Sequence, residues 1–237
     1  MASLDQLLVL QEHDTTAEQL RHRLLTLPQR DQLVAHRQEL ASVEEQTVAV
    51  QGQRDEVART QKRLEDEVAS VEAKVADVHG KLYGGSVTSP RELQALQDDE
   101  AALKRHQTNV EDKVIEQMEL AVPLDEELEQ VKARTAELEA LIADTEAALT
   151  VAEAECRAEL DVVLAERDGI AAGLDPAQIE KYEQLRHDLG GIGVARLVGT
   201  NCGGCHLTLS AVELDRIRHA PADDMVFCGE CGRLLVR

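Results

Sequence analysis

Large aromatic side chains are almost missing from this chain of 237 residues, which has no Trp, one Phe (Phe227) and two Tyr (Tyr83 and Tyr182). Such side chains usually dominate cores, so an ordinary thick globule is excluded. Also missing is any run of about 18 apolar residues, which rules out a membrane-spanning helix. The N-terminal stretch MASLDQLLVLQEHD has neither a basic start nor a small-residue cleavage site, so no secretion signal is expected. No Walker loop, G-x-S-x-G elbow, dinucleotide glycine pattern or paired-histidine metal motif occurs, and an enzyme is not expected. Basic charge is scarce too: 25 Lys and Arg stand against 46 Asp and Glu, a net charge of −21. The excess lies in residues 1–189, with 41 acidic and 20 basic side chains, because residues 190–237 carry 5 of each. That surface repels phosphates and anionic lipid heads, so any nucleic-acid contact would fall to the neutral C-terminal part.

What is present is a long heptad pattern. Apolar residues recur at alternating steps of three and four along Leu33, His36, Leu40, Val43, Thr47, Val50, Arg54, Val57, Gln61, Leu64, Val68, Val71, Val75, Val78 and Leu82. That is a coiled-coil seam, with Thr47, Arg54 and Gln61 as polar interruptions of the kind that fix register. Tyr83-Gly84-Gly85-Ser86-Val87-Thr88 reads as a turn. Ser89-Pro90-Arg91-Glu92 then restarts a helix with a cap, a proline at the first position and a capping-box acid. A second seam runs from Leu93 to Val163 through Val110, Leu128, Leu138 and Cys156, and its phase survives Pro123. The expected architecture is mainly α: an antiparallel coiled-coil hairpin over residues 1–170, turning at about 83–89. Paired positions should mirror about residue 86. Pro28 should break the first arm near its base, and Gly52 level with Pro123 suggests a bend. The glycine turn with its capping signal favours this hairpin over two chains zipped in parallel. Cys156 falls on the seam and reads as a small buried hydrophobe.

Residues 171–237 should form a second part. Asp175-Pro176 starts a short helix whose face includes Ile179, Tyr182, Leu185 and Leu189, with Tyr182 expected to pack between helix and tail. Ile192–Val198 reads as a strand, Ser210 and Glu213 as the capping box of a short helix, Met225–Phe227 as a further apolar run, and Arg233–Arg237 as a closing strand. Two C-x-x-C pairs flank this stretch, Cys202/Cys205 and Cys228/Cys231. Two such turns supply four thiolates to one tetrahedral ion, and glycines inside the turns let amides approach the sulfurs. One structural Zn2+ with no open coordination position is expected. An iron–sulfur centre or disulfides are the remaining readings, and His206 is expected outside the ligand set. Cysteines in this pattern suit a reducing compartment, so a cytoplasmic location is expected.

The run KLYGGSVTSPRELQALQDDE, the later EKYEQLR, and the segments GGIGVARL, CGGC, ELDRIR and CGECGRLL resemble the bacterial four-cysteine zinc-ribbon proteins with a coiled-coil hairpin. The resemblance covers essentially the whole chain and is specific at the hairpin tip and the ribbon. It implies a non-enzymatic adaptor engaging protein partners, with transcription or secretion regulators and transcript binding among the suggestions. Tyr83 and Glu92 at the tip are candidate partner contacts. Arg196, Arg216, Arg218 and Arg233, with His219 and Arg237 beside them, are the cations available for the alternative, RNA or DNA binding through the ribbon. The ribbon offers one aromatic, Phe227, and no net positive charge, so neither a stacking platform nor an electrostatic funnel is evident.

Overall fold

The computed structural model describes residues 4–221 and 224–237. The first three residues of the MASLDQ start lie outside them. Five helices and four short strands follow in order: α1 (Asp5–Leu25), α2 (Pro28–Tyr83), α3 (Pro90–Ala172), α4 (Pro176–Asp188), β1 (Val194–Val198), β2 (Asn201–Cys202), α5 (Ala211–His219), β3 (Val226–Phe227) and β4 (Leu234–Val236). Pro28 is the first residue of α2 and Pro90 the first of α3, where a missing N–H costs nothing. The helix α3 runs through Pro123 without interruption.

Contacts divide the chain into two compact units, Gln32–Thr145 and a second made of Met1–Asp31 with Glu146–Arg237. This differs from a boundary near residue 170, because the N-terminal helix belongs with the tail. Within Gln32–Thr145, all fifteen positions of the first seam are buried or half-buried, while the residues between them face water almost without exception. Polar bonds tie the arms together: Arg54 Nε donates to Asp125 Oδ1 at 2.7 Å, Gln107 Nε2 to Glu72 Oε1 at 3.3 Å, and His79 Nδ1 lies 3.1 Å from Glu100 Oε1. A mirror at residue 86 places Glu39 and Glu67 within one residue of their observed partners Arg134 and His106, while Arg54 reaches past Met118 to Asp125. Of the interruptions at Thr47, Arg54 and Gln61, Arg54 reaches across. Thr47 donates to the Val43 carbonyl and Gln61 to Glu65, both within α2.

In the other unit, α1 turns Leu7 and Leu10 into a core with Leu174, Tyr182, Val194, Leu234 and Val236. A second core, Ala195, Cys202, Leu209, Ile217, Cys228 and Leu235, lies under the cysteine turns. The sheet has the order β2-β1-β4-β3, with β1 and β4 parallel at its centre and the outer pairs antiparallel. A parallel pair needs a crossover, and the chain through β2, α5 and β3 supplies it. Cys156 is fully buried on α3 and its thiol lies 3.4 Å from the Leu20 carbonyl, as a small seam hydrophobe should.

Candidate metal centre and the buried polar clamp

The sulfur cluster is built from two turns of the same design. In the first, His206 N donates to the Cys202 carbonyl at 2.8 Å, and in the second Gly232 N donates to the Cys228 carbonyl at 2.9 Å. Both closing residues sit in the left-handed region, Gly232 at φ 72 and His206 at φ 61, where only glycine is unstrained. His206 is exposed, outside the ligand set. Gly203 must be glycine for a different reason: a Cβ there would lie 2.7 Å from the Arg196 carbonyl oxygen. Gly204 N donates to Cys202 Sγ at 3.3 Å, so a backbone amide does meet a sulfur.

The four sulfurs lie within 4.8 Å of one another, with Cys202–Cys231 and Cys205–Cys228 each at 3.9 Å. A zinc tetrahedron with bonds of about 2.3 Å has edges of about 3.8 Å, so the donor set fits one Zn2+. As free thiols the ligands are mismatched. Burial pushes Cys228 up to about 12. Burial is the largest single influence on Cys231 and opposes its ionisation, but hydrogen bonds from the Arg233 backbone and side chain and from the Cys228 and Cys205 thiols together outweigh it and hold that thiol down at about 7. A dication resolves the mismatch by favouring all four thiolates, and with four sulfur ligands it leaves no position for water.

Around the cluster, Ser210 accepts from Glu213 N at 3.3 Å, the expected cap. The other half of the box is diverted. Glu213 Oε1 accepts from Gly229 N at 2.7 Å, so α5 braces the second cysteine turn rather than its own first amide. The ribbon cations are largely engaged. Arg233 donates to the Ile192 and Leu189 carbonyls at 3.0 and 3.4 Å, and Arg237 donates to the carbonyls of Ala220 and Pro221 at the end of α5. Arg196 pairs with Asp5 at 3.3 Å, Arg218 reaches the Gly199 carbonyl at 3.5 Å, and Arg216 is exposed. At the other candidate surface Tyr83 is 70% exposed and stacks obliquely on His79, with ring centroids 4.5 Å apart. Glu92 is exposed near by in the chain.

A second constellation escaped the sequence reading. Asp14 on α1 is buried, with its Oδ2 accepting from the Tyr182 hydroxyl at 2.6 Å and its Oδ1 from Arg167 Nε at 3.2 Å; Arg186 lies 3.5 Å away. Three residues earlier, buried Gln11 donates to the Gly191 carbonyl at 2.9 Å and accepts from Gly193 N at 2.7 Å. Tyr182 is therefore a packing residue between helix and tail, as expected, but one with a charged partner. The available signal was polar Asp14 in the apolar spacing Leu7, Leu10, Asp14, Ala17.

Burial first, and then the bond to Asp14, push the Tyr182 pKa up from its ordinary 10.0. For an acid raised in the folded state, the stabilisation is complete below about pH 10 and is lost as pH climbs above it. In a Tyr83→Phe variant, which leaves one phenol, phenolate absorbance should appear only together with loss of helical ellipticity. Phenolate formed while ellipticity persists would contradict a buried Tyr182–Asp14 pair.

Among the described residues no helix is long and apolar enough to cross a membrane. Residues 10–190 match the family described as a CT398-like coiled coil hairpin domain, and residues 201–235 match a C4-type zinc ribbon domain. The Mycobacterium tuberculosis protein Rv2229c is 32% identical over 98% of this chain and 94% of its own length. A solved structure from Mycobacterium smegmatis superposes with a TM-score of 0.85 at 25% identity, covering 100% of this chain and 99% of that one. CT398 from Chlamydia trachomatis shares the fold at a TM-score of 0.51 and 20% identity, over 98% of this chain and 96% of that chain. The helical hairpin and the four-sulfur ribbon thus both match known domains, and the chain belongs to the CT398-like coiled-coil hairpin family with a C-terminal C4 zinc ribbon.

Proposed function

We propose that this protein is a non-enzymatic cytoplasmic adaptor, in which the hairpin and the zinc ribbon each engage a protein partner, in the transcription or secretion machinery. The observation that carries this reading is the nature of the metal centre: four thiolates saturate the ion, so it stabilises a surface rather than performing chemistry. The exposed Tyr83 at a tight glycine turn offers an amphipathic contact of the kind enriched at interfaces. Nucleic-acid binding through the ribbon has less support, because Arg233 and Arg237 commit their donors to backbone carbonyls. Affinity capture from nuclease-treated cells tests the adaptor reading. The pair Tyr83→Ala with Glu92→Ala should lose one set of partners and Arg216→Ala with Arg196→Ala another. Retention of every partner by both variants would sink it, as would salt-steep binding of RNA lost with the arginines.

A further inference from the structure

The helix α3 carries a second apolar face. Ile115, Met118 and Val122 are 53, 52 and 56% exposed, spaced three and four residues apart on one side of the helix. They flank the buried seam positions Ala121 and Leu128 rather than join them, and each leaves about half of its surface open. From Val114 to Val131 the sequence has six carboxylates and no Lys or Arg. Asp125 pairs with Arg54 and Glu129 with Lys132, but Glu116, Glu119, Glu126 and Glu127 have no ion-pair partner among the described residues. Pro123, in the middle of this stretch, has no N–H to give the Glu119 carbonyl four residues back, so a backbone acceptor there is short of its helical donor.

We propose that the Ile115–Met118–Val122 face is a docking site for a basic amphipathic helix of a protein partner. The inference rests on the adaptor reading and names one of its surfaces. Three apolar side chains at this spacing match the anchors of a helix laid along a helical groove. Methionine at the centre adapts to differing side chains. Glu119 and Glu126, each four residues after an apolar anchor, and the open carbonyl call for Lys or Arg on the incoming segment. A second copy of this chain, at a net charge of −21, brings the wrong sign, and an anionic lipid surface does too.

The test uses the full zinc-loaded chain and a synthetic peptide with leucines on one helical face and lysines on the other, followed by fluorescence anisotropy. Wild type should bind it on the order of tenfold or more tightly than the Ile115→Gln, Met118→Gln, Val122→Gln variant. Glutamine keeps helix propensity, and equal helical ellipticity confirms that the variant is folded. Changing Glu116, Glu119, Glu126 and Glu127 to Gln should weaken binding and flatten its salt dependence. Equal affinity of the apolar variant and wild type would overturn the proposal, leaving charge attraction alone. Equal binding of a scrambled peptide of the same composition would overturn it too. So would a wild-type dimer in light scattering that the apolar variant abolishes, which would assign the face to a second copy. Failure here leaves the adaptor reading to its tip and ribbon captures, and failure of those captures leaves the peptide measurement untouched.

Discussion

Cys228→Ser is expected to abolish zinc binding and unfold the cysteine-bearing part of the tail while the long helices persist. The core beneath the metal is six residues, of which Cys202 and Cys228 are themselves ligands. So small a cluster cannot offset the entropy of ordering the chain around it. Zinc contributes about 10–16 kcal/mol apparent in isolated finger peptides, which is the scale of what is lost. Amides of β2, α5 and β3 should therefore lose hydrogen-exchange protection. Those of α1 and α4 should keep theirs, because Leu7, Leu10 and Tyr182 pack in a separate core. Helical ellipticity should barely change, since α5 has only 9 residues. Protection of α5 that survives in metal-free Cys228→Ser would mean that side-chain packing alone folds the ribbon.

Asp14→Ala should be the most damaging substitution outside the cysteines, at about 2–4 kcal/mol, because it strands the buried Tyr182 hydroxyl and takes one carboxylate from the half-buried Arg167 and Arg186, which keep Glu183. Arg167 and Arg186 expose 18 and 22% of their side chains, so water replaces Asp14 poorly. Tyr182→Phe removes one neutral donor to a carboxylate and should cost about 1.5–3 kcal/mol. The two changes share one hydrogen bond, so the double variant should fall short of their sum. Chemical denaturation followed through the zinc-bearing unit measures all three. Additive effects, or an Asp14→Ala cost below about 1 kcal/mol, would mean that the carboxylate is not held as the structure places it.

Local chemistry was legible in the sequence where one residue type has one physical use. The fifteen seam positions, Pro28 and Pro90 at helix starts, Asp175 capping α4 through Ala177 N, and the four cysteines all follow from short-range rules. Long-range pairings were not legible. Nothing near Gln11 announces Gly191 and Gly193, which lie about 180 positions away, and heptad periodicity treats Asp14 as a defect rather than an anchor. The diverted carboxylate of Glu213 shows the same limit: the capping-box spacing was met, but the Gly229 amide of a distant turn captured the acid. The individual bridges between the arms were also beyond pattern reading, since the seam repeats every seven residues and Arg54 reaches past its mirror position to Asp125. Residues that bind an unknown partner leave no such rule, which is why Tyr83 and Arg216 were found by exposure and type alone.

Extended X-ray absorption at the zinc edge, with metal analysis of untagged protein purified without added zinc, tests the central claim most directly. One zinc per chain with four sulfur neighbours at about 2.3 Å and no oxygen shell is the predicted result. A chain isolated without stoichiometric zinc, or zinc carrying a nitrogen or oxygen ligand, would contradict a closed four-thiolate centre and the ribbon built upon it.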